Sequence, residues 1–302
     1  MDKISASIII LTKNAEDTLK TVLDRMMSQD YKSFEIIIID SGSTDETLKI
    51  AKNYPLKIIN IKPSEFGHGK TRNLGAKIAK GKYVVYLTHD AIPKNAKWLS
   101  ELIKPLKEKN IAGVYGKQIP KKDENVVDNF FYISLYPNEE HTWEQNKVYQ
   151  GDNVFSNVNS VIVKDILLKY PFNNSIIVSE DYEWAHRVLK EGYNMFYNPK
   201  AIVIHSHSYS FRTLFKRNFD IGVSYKEVYK KNSNSNLDFI RKGISIHLKA
   251  LNYLIKSGYP QMVPYCIIKD FVKLIAVTLG KNEHLLPKYL KAKFSNYREY
   301  WK

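Results

Sequence analysis

Short apolar runs alternate with helical periodicities along the first 90 residues of the chain. The runs are rich in β-branched residues, which is typical of strands buried on both faces of a sheet. They cover residues 7–11, 34–39, 56–61 and 83–87. Between them, apolar residues three and four positions apart predict helices over 14–29, 45–52 and 70–80. This alternation predicts a parallel, doubly wound α/β sheet.

The pattern changes in the second half of the chain. Between residues 114 and 209 the alternation loosens into short strands and loops, with a helix predicted near 180–191. Beyond residue 210 the periodicity is helical, and the predicted helices cover 211–230, 237–256, 261–280 and a last piece ending near 301. The polar segment 232–236 is a candidate linker. We therefore predict one domain over residues 1–225 and a helical region over residues 226–302.

Positive charge is concentrated in that helical region. The chain has 302 residues, with 46 Lys and Arg against 31 Asp and Glu, a formal net charge of +15. Residues 226–302 contain 15 basic and 5 acidic residues and thus carry +10 of it. Such asymmetry indicates contact with nucleic acid or with an anionic membrane. A well-solvated helical surface is the alternative interpretation.

The cysteine count and the length of the apolar runs bear on the compartment. Cys266 is the single cysteine, so no disulfide can form within the chain, and a reducing compartment is expected. The first apolar run is too short for a secretory signal, and no stretch reaches the roughly 20 apolar residues that span a bilayer. We therefore expect a cytoplasmic protein, soluble or peripheral.

Polar residues follow three of the predicted strands. Thr12 and Asn14 come after the first strand, Asp40 ends the second, and Thr88-His89-Asp90 follows the fourth. In open α/β sheets, ligands bind beyond the carboxyl ends of the strands. The chain has no GxxxxGK[ST] or GxGxxG sequence, which argues against kinases, P-loop NTPases and dinucleotide-binding enzymes.

Three further segments offer groups for chemistry. His68, Lys70 and Arg72 lie at a predicted helix start and form a cationic cradle suited to phosphates. Asp90 offers a carboxylate to Mg²⁺ or Mn²⁺, with His205 or His207 as a nitrogen ligand. Glu180 or Asp181, at the start of a helix, is a candidate general base. Acidic residues are also favoured there by the helix dipole alone.

Taken in order, these segments resemble family-2 glycosyltransferases of the GT-A fold, and within them the rhamnosyltransferase group. The likeness extends over almost the whole chain. The matching features are His68-Gly-x-Thr-Arg-Asn73, Thr88-x-Asp90-Ala-x-Pro93, Glu180-Asp-x-Glu-Trp-Ala185, His205-Ser-His207-x-Tyr209 and Phe219–Val223. The resemblance implies a Rossmann-like GT-A sheet with a C-terminal helical extension. Residues 1–115 would form its donor-binding half and 116–225 its acceptor and base half.

The resemblance also implies a role for each candidate residue. Asp181 is the expected general base of an inverting transfer. The expected nucleotide-sugar contacts are Thr12, Asn14, Asp40, Gly42, His68, Arg72, Asn73, His89 and Asp90. The expected acceptor contacts are Asn157, Asn159, Glu180 and Trp184, although Trp184 is equally well explained as a core residue. Asp90, His205 and His207 are the candidate metal ligands, and Thr88 stands where the family's Asp-x-Asp motif has its first carboxylate.

The sequence thus predicts an inverting glycosyltransferase that moves L-rhamnose from dTDP-rhamnose to a hydroxyl of a glycan or lipid-linked glycan, with Mg²⁺ or Mn²⁺ as cofactor. One alternative keeps the fold but uses a UDP-hexose or UDP-N-acetylhexosamine donor, and a remote one is a basic nucleic-acid-binding protein. The expected partners are the nucleotide-sugar donor and the acceptor, without nucleic acid. An anionic membrane surface on the inner face of the cell membrane and self-association through the C-terminal helices are further candidates.

Overall fold

The computed structural model describes residues 4–108, 110–143, 155–225, 227–228 and 236–301. Its strands are β1 (Ala6–Thr12), β2 (Phe34–Asp40), β3 (Lys57–Asn60), β4 (Tyr83–Leu87), β5 (Ile92–Pro93), β6 (Ile111–Ile119), β7 (His141–Trp143), β8 (Asn159–Val163) and β9 (Asn194–Ile204). Its helices are α1 (Glu16–Met27), α2 (Thr47–Ala51), α3 (His68–Ile78), α4 (Trp98–Ile103), α5 (Val126–Leu135), α6 (Lys164–Lys169), α7 (Glu180–Lys190), α8 (Phe211–Tyr225), α9 (Asn236–Lys256), α10 (Val263–Lys281) and α11 (Lys288–Phe294).

The sheet is mixed, whereas the alternation in the first 90 residues predicted a parallel one. Its strand order is β3-β2-β1-β4-β8-β6-β9-β5, and β7 pairs with β9. The first four strands are parallel, as predicted, but β8 runs antiparallel to both β4 and β6. An apolar run predicts a strand but not its direction, because either direction buries the same side chains. Since β8 reverses the direction, β6 and β9 end at the same edge as β1, β2 and β4.

Apolar side chains on the strands and on the helices beside them form one core. Ile8 and Ile10 of β1 and Ile36 and Ile38 of β2 are buried on the same side of the sheet. Helix α1 covers that side with the apolar residues that its periodicity predicted, which are Leu19, Val22, Leu23 and Met26. Burying each such side chain contributes about 1.5–3 kcal/mol. The strand ends are thereby held on a rigid base.

The chain divides into two compact units. The first contains Met1–Lys121, Leu135–Asn174 and Asp181–Ser206, and the second contains Lys122–Ser134, Ser175–Glu180 and His207–Lys302. The predicted linker lies outside the described residues, except for Asn236, where α9 begins. The predicted boundary between residues 225 and 226 separates a functional domain from a helical region. Compact units do not test such a boundary, so it stays a prediction.

The second unit is mainly helical. A small core joins α5 to α9 and α10 through Phe130, Ala250, Leu254 and Cys266. Next to this core, the buried ammonium group of Lys269 forms an ion pair with Asp128. Among the residues that the structure describes, no helix combines the length and the apolar character needed to cross a bilayer.

Asp220 of α8 makes the stability of the second unit dependent on pH. Its side chain is buried, one carboxylate oxygen accepts the backbone N–H of Asn296, and burial raises the pKa of the carboxyl to about 6. The folded state therefore favours the protonated form, and this stabilising contribution is lost as the pH rises through about 6.

Asp220→Asn removes this titration. As the pH rises from about 4 to about 8, we expect the free energy of unfolding of the variant to increase by about 2 kcal/mol relative to that of the wild type. Urea unfolding at these two pH values measures the free energy of unfolding of both proteins. The contributions of the other titrating groups cancel when the value of one protein is subtracted from that of the other. Parallel pH dependences would contradict the assignment.

Candidate active site

The predicted functional residues collect at one edge of the sheet. Thr12 at the end of β1 lies beside Asp40 at the end of β2, and Leu87 at the end of β4 lies beside Asn159 at the start of β8. On the far side of β8, β6 and β9 end together with Ile119 paired to Ile204. The strands therefore bring side chains from distant parts of the sequence, from Thr12 to Ile204, to the edge where such sheets bind ligands.

Asp40 orders the loop that follows β2. One carboxylate oxygen accepts the backbone N–H groups of Gly42 and Ser43, at 3.0 and 2.9 Å. The other accepts the hydroxyls of Thr12 and Ser43, at 2.9 and 2.5 Å. The side chain is only 1% exposed. Its immediate role is thus to shape this loop, and its predicted contact with the nucleotide base stays a prediction.

Asn14 and Gly42 complete the same loop. Asn14 has φ of 51°, and its side-chain oxygen accepts the backbone N–H of Thr44 at 2.9 Å. Gly42 has φ of +88°, and a Cβ there would lie 3.0 Å from the ring of Pro63. Only glycine fits this position without strain. Both residues hold the loop in shape, and their contacts with a nucleotide stay predictions.

Helix α3 places the imidazole of His68 and the guanidinium of Arg72 in its first turns. His68 begins the helix and packs edge-on against Phe66, with ring centroids 5.2 Å apart. Arg72, one turn further on, has Nη1 3.4 Å from His68 Nδ1 and lies over the ring of Tyr86. Unpaired backbone N–H groups at a helix start attract anions, so this end of α3 suits a phosphate group.

Asn73, the neighbour of Arg72, has a structural role. Its side-chain nitrogen donates to the backbone oxygen of Phe172 and to Asn174, at 2.9 and 3.0 Å, and its oxygen accepts the backbone N–H of Phe172 at 3.0 Å. These bonds use the amide to tie the 172–174 segment to α3. Asn73 therefore positions this segment, and its expected nucleotide contact stays a prediction.

Asp90 and His205 come together beyond the ends of β4 and β9. The Asp90 carboxylate lies 3.6 Å from His205 Nε2, and both side chains are largely buried. The hydroxyl of Thr88 is buried and has no hydrogen-bond partner in the described part of the chain. His89, between them, is half-buried, and its backbone oxygen accepts the Thr18 hydroxyl. His207, two residues after His205, belongs to the second unit and stacks on Tyr209.

Gln118 of β6 fixes the orientation of His205, and sequence reasoning missed it. Its side-chain oxygen lies 2.9 Å from His205 Nδ1, while its nitrogen donates to the hydroxyls of Tyr136 and Ser156. Because the oxygen can only accept, Nδ1 donates a proton to it, and Nε2 is the ring nitrogen that faces Asp90. A buried glutamine next to Lys117, near the end of a largely apolar strand, was the available signal.

Asp181 is tied to the same edge of the sheet. One carboxylate oxygen accepts the backbone N–H of Asn157 at 2.9 Å, and Asn157 lies two residues before β8. Ser179, just before α7, has φ of 68°, an uncommon conformation for a residue other than glycine. Such conformations concentrate at functional turns. The carboxylate is half-buried and fixed by the backbone.

The four expected acceptor contacts are buried. Trp184 is 0% exposed, packs on Phe155 and Phe172, and donates its indole N–H to the Tyr170 oxygen. It thus packs as a core residue, and its expected acceptor contact stays a prediction.

Both asparagines of this group are also buried. Asn159 accepts the indole N–H of Trp98 and donates to the Ala201 oxygen, so it has a structural role, and its acceptor contact stays a prediction. Asn157 retains a side-chain nitrogen without a hydrogen-bond partner among the described residues, so its acceptor contact stays a prediction. So does that of Glu180, which is buried at the start of α7.

A second group of potential metal ligands lies in the helical unit. His247, Cys266 and Asp270 have ligand atoms within 4.8 Å of one another. Asp270, however, already pairs with His247 and with Lys273, at 2.6 and 2.9 Å. Burial raises the pKa of the Cys266 thiol to about 11, so it stays protonated at neutral pH. The group is better explained as an ion-pair network than as a metal site.

Comparison with known proteins places these features in a family. The model of the family "Glycosyl transferase family 2" matches residues 7–170. The chain is 34% identical to the O-antigen chain rhamnosyltransferase WbaN of Salmonella anatum, over 90% of this chain and 88% of that protein. It is 30% identical to the O-antigen chain rhamnosyltransferase RfbN of Salmonella typhimurium, over 98% and 95%.

The fold matches that of solved glycosyltransferases. A mannosyltransferase from Pyrobaculum calidifontis, solved in complex with GDP-Man and Mn²⁺, superposes with a TM-score of 0.57 at 16% identity. The match covers 98% of this chain and 84% of that one. The fold is therefore a GT-A fold with additional C-terminal helices, as the resemblance implied.

Proposed function

The chain is a glycosyltransferase that belongs to glycosyl transferase family 2, and on this premise we propose that it transfers L-rhamnose from dTDP-rhamnose with inversion. The acceptor is a hydroxyl of a glycan or of a lipid-linked glycan. Similarity over at least nine-tenths of the chain to two O-antigen chain rhamnosyltransferases supports the sugar and the class of acceptor. The observation that carries the reaction type is the Asp181 carboxylate, held at the edge where the strands end.

Asp181 acts as the general base. It removes the proton from the acceptor hydroxyl while that oxygen attacks the anomeric carbon, and the bond from that carbon to the nucleotide diphosphate breaks. One displacement inverts the configuration, so the enzyme needs no nucleophile of its own. The backbone N–H of Asn157 occupies one carboxylate oxygen and thereby fixes the direction from which the base acts.

The donor lies along the edge from the loop after β2 to the start of α3. Thr12, Asn14, Asp40 and Gly42 form the part of the site that takes the nucleoside. His68 and Arg72 face the diphosphate, where negative charge develops as the sugar departs, and positively charged donors stabilise that charge in the transition state. His89, next to Asp90, completes the nucleotide-sugar site.

Asp90 and His205 fit a divalent cation. They offer a carboxylate oxygen and a ring nitrogen 3.6 Å apart, and the buried hydroxyl of Thr88 lies two residues before Asp90 in the chain. Mg²⁺ or Mn²⁺, with His207 as the alternative nitrogen ligand, would neutralise the diphosphate of the donor. With a single carboxylate in the set, we expect metal affinity to rise when the donor supplies its phosphate oxygens.

Metal removal with EDTA should abolish turnover, and added Mn²⁺ should restore it.

Gln118 should tune that site through His205. In Gln118→Leu the ring loses its Nδ1 acceptor, and we expect Mn²⁺ affinity to fall by about 10–100-fold. Calorimetric titration of Mn²⁺ in the presence of dTDP measures this directly. Gln118→Glu keeps an acceptor at the same position and should retain affinity. Equal Mn²⁺ affinity in the Leu variant and the wild type would contradict the role.

A donor screen tests the proposed sugar. Mass spectrometry would follow the hydrolysis of dTDP-L-rhamnose, UDP-glucose, UDP-N-acetylglucosamine and GDP-mannose, which requires no knowledge of the acceptor. We expect hydrolysis to be fastest with dTDP-L-rhamnose. Preference for a UDP-sugar would support the same fold acting with another donor and would refute the rhamnose assignment.

The proposed location is the cytoplasmic face of the cell membrane. A lipid-linked acceptor is presented there, and the net charge of +10 over residues 226–302 favours an anionic surface.

A further inference from the structure

The outer face of α10 is apolar and unpartnered among the described residues. The opposite face of this helix is buried and includes Cys266, Ala276 and Gly280. The outer face, with residues spaced as on one side of a helix, carries exposed apolar side chains. They are Ile267, Ile268, Phe271, Leu274 and Ile275, with Phe271 and Leu274 61% and 56% exposed. We call these five residues the α10 outer face.

Helix α9 has a matching apolar stripe. Ile244, Leu248 and Ile255 lie four and seven residues apart, on one side of the helix, and are 55%, 58% and 61% exposed. Helices α9 and α10 share the small core around Leu254 and Cys266. The stripe and the α10 outer face therefore belong to the same helical pair.

Basic residues accompany the α9 stripe. Lys249 and Lys256 are exposed, and each directly follows a residue of the stripe. Arg241 is exposed one turn before Ile244. Residues 241–256 of this helix include no Asp or Glu. The surface thus combines exposed apolar groups with positive charge.

We infer that this surface binds an anionic lipid bilayer, with the α10 outer face inserted among the lipids and the lysines of α9 at the headgroups. An amphipathic surface of this composition binds membranes by burying apolar area and by attraction to anionic lipids. A second copy of the chain is the competing occupant. Two such regions, each with net charge +10, would repel one another, whereas an anionic surface attracts them. The inference deepens the proposed function, because it states how the enzyme would reach a lipid-linked acceptor.

Vesicle co-sedimentation of the full-length protein tests the inference. We expect binding to vesicles of phosphatidylglycerol and phosphatidylcholine and little binding to phosphatidylcholine alone. Phe271→Ser/Leu274→Ser should reduce the partition coefficient by about 10-fold or more, since it removes two inserted side chains. Lys249→Glu should reduce it by about 5-fold or more, and high salt should have the same direction of effect.

Leu285→Ser/Tyr289→Ser is the matched control. These side chains are 74% and 70% exposed, in the same unit but outside the α10 outer face, and their replacement should leave binding unchanged. Equal binding by the Phe271→Ser/Leu274→Ser variant and the wild type would overturn the inference. The inference would also be overturned if light scattering showed a dimer that this variant loses while its vesicle binding is retained. Donor hydrolysis needs no membrane, so its failure would count against the proposed function and not against this surface.

Discussion

Asp181→Asn is expected to leave a folded protein that binds its donor but turns over about 10²–10⁴-fold more slowly. Asparagine keeps an oxygen for the bond from the Asn157 backbone N–H, so the start of α7 should hold its position. It cannot accept the proton of the acceptor hydroxyl, so only the base is lost. Release of dTDP measures turnover, and calorimetry with dTDP measures binding.

Asp165→Asn provides the control for this experiment. Asp165 is an exposed carboxylate in the first turn of α6 and lies outside the proposed site. Its replacement should change neither turnover nor binding. If Asp181→Asn retained wild-type turnover while binding dTDP normally, Asp181 would not be the base, and the reaction would need another acceptor for the proton.

Gly116→Ala is expected to destabilise the protein by about 3 kcal/mol or more. Gly116 lies in β6 where the register against β9 shifts. A Cβ there would overlap the backbone oxygen of Ala201 and the side-chain nitrogen of Asn159. Neither can move cheaply, because Asn159 also accepts the indole N–H of Trp98 and donates to Ala201. Urea unfolding followed by tryptophan fluorescence measures the loss.

Gly243→Ala is the matched control. Gly243 lies in α9, and a Cβ there would meet nothing within 4 Å. Replacing a helical glycine with alanine should leave the unfolding midpoint unchanged or raise stability by up to about 1 kcal/mol. A Gly116→Ala variant that unfolded at the wild-type urea concentration would show that β6 and β9 can separate at little energetic cost.

The strand–helix alternation predicted the first four strands and their parallel pairing. β1, β2 and β4 were foreseen as parallel strands because their apolar runs are short and β-branched, and polar residues follow them directly. Asp40 and Asp90 could therefore be assigned to one edge before any coordinates were known. The helices between these strands indicate parallel pairing, and parallel strands bring their carboxyl ends to one edge of the sheet.

Contacts between distant segments could not be foreseen in this way. Asn73 bonds to Phe172 across 99 residues, and His205 meets Gln118 across 87. Periodicity shows that a position is buried but not what it is buried against. For the same reason Trp184 could equally have been assigned to a core or to an acceptor. The antiparallel direction of β8 was missed because it leaves no trace in the hydrophobic pattern.

The loop around Asp40 has a thermodynamic consequence for ligand recognition. Its backbone is held by hydrogen bonds from Gly42 and Ser43 to the Asp40 carboxylate in the protein alone. Ordering a residue on binding would oppose association by about 1–2 kcal/mol, and this preorganised loop avoids that loss. Affinity for the nucleoside should then reflect the groups it touches. Breaking the loop's internal bonds should weaken binding through entropy, even if every ligand contact remained available.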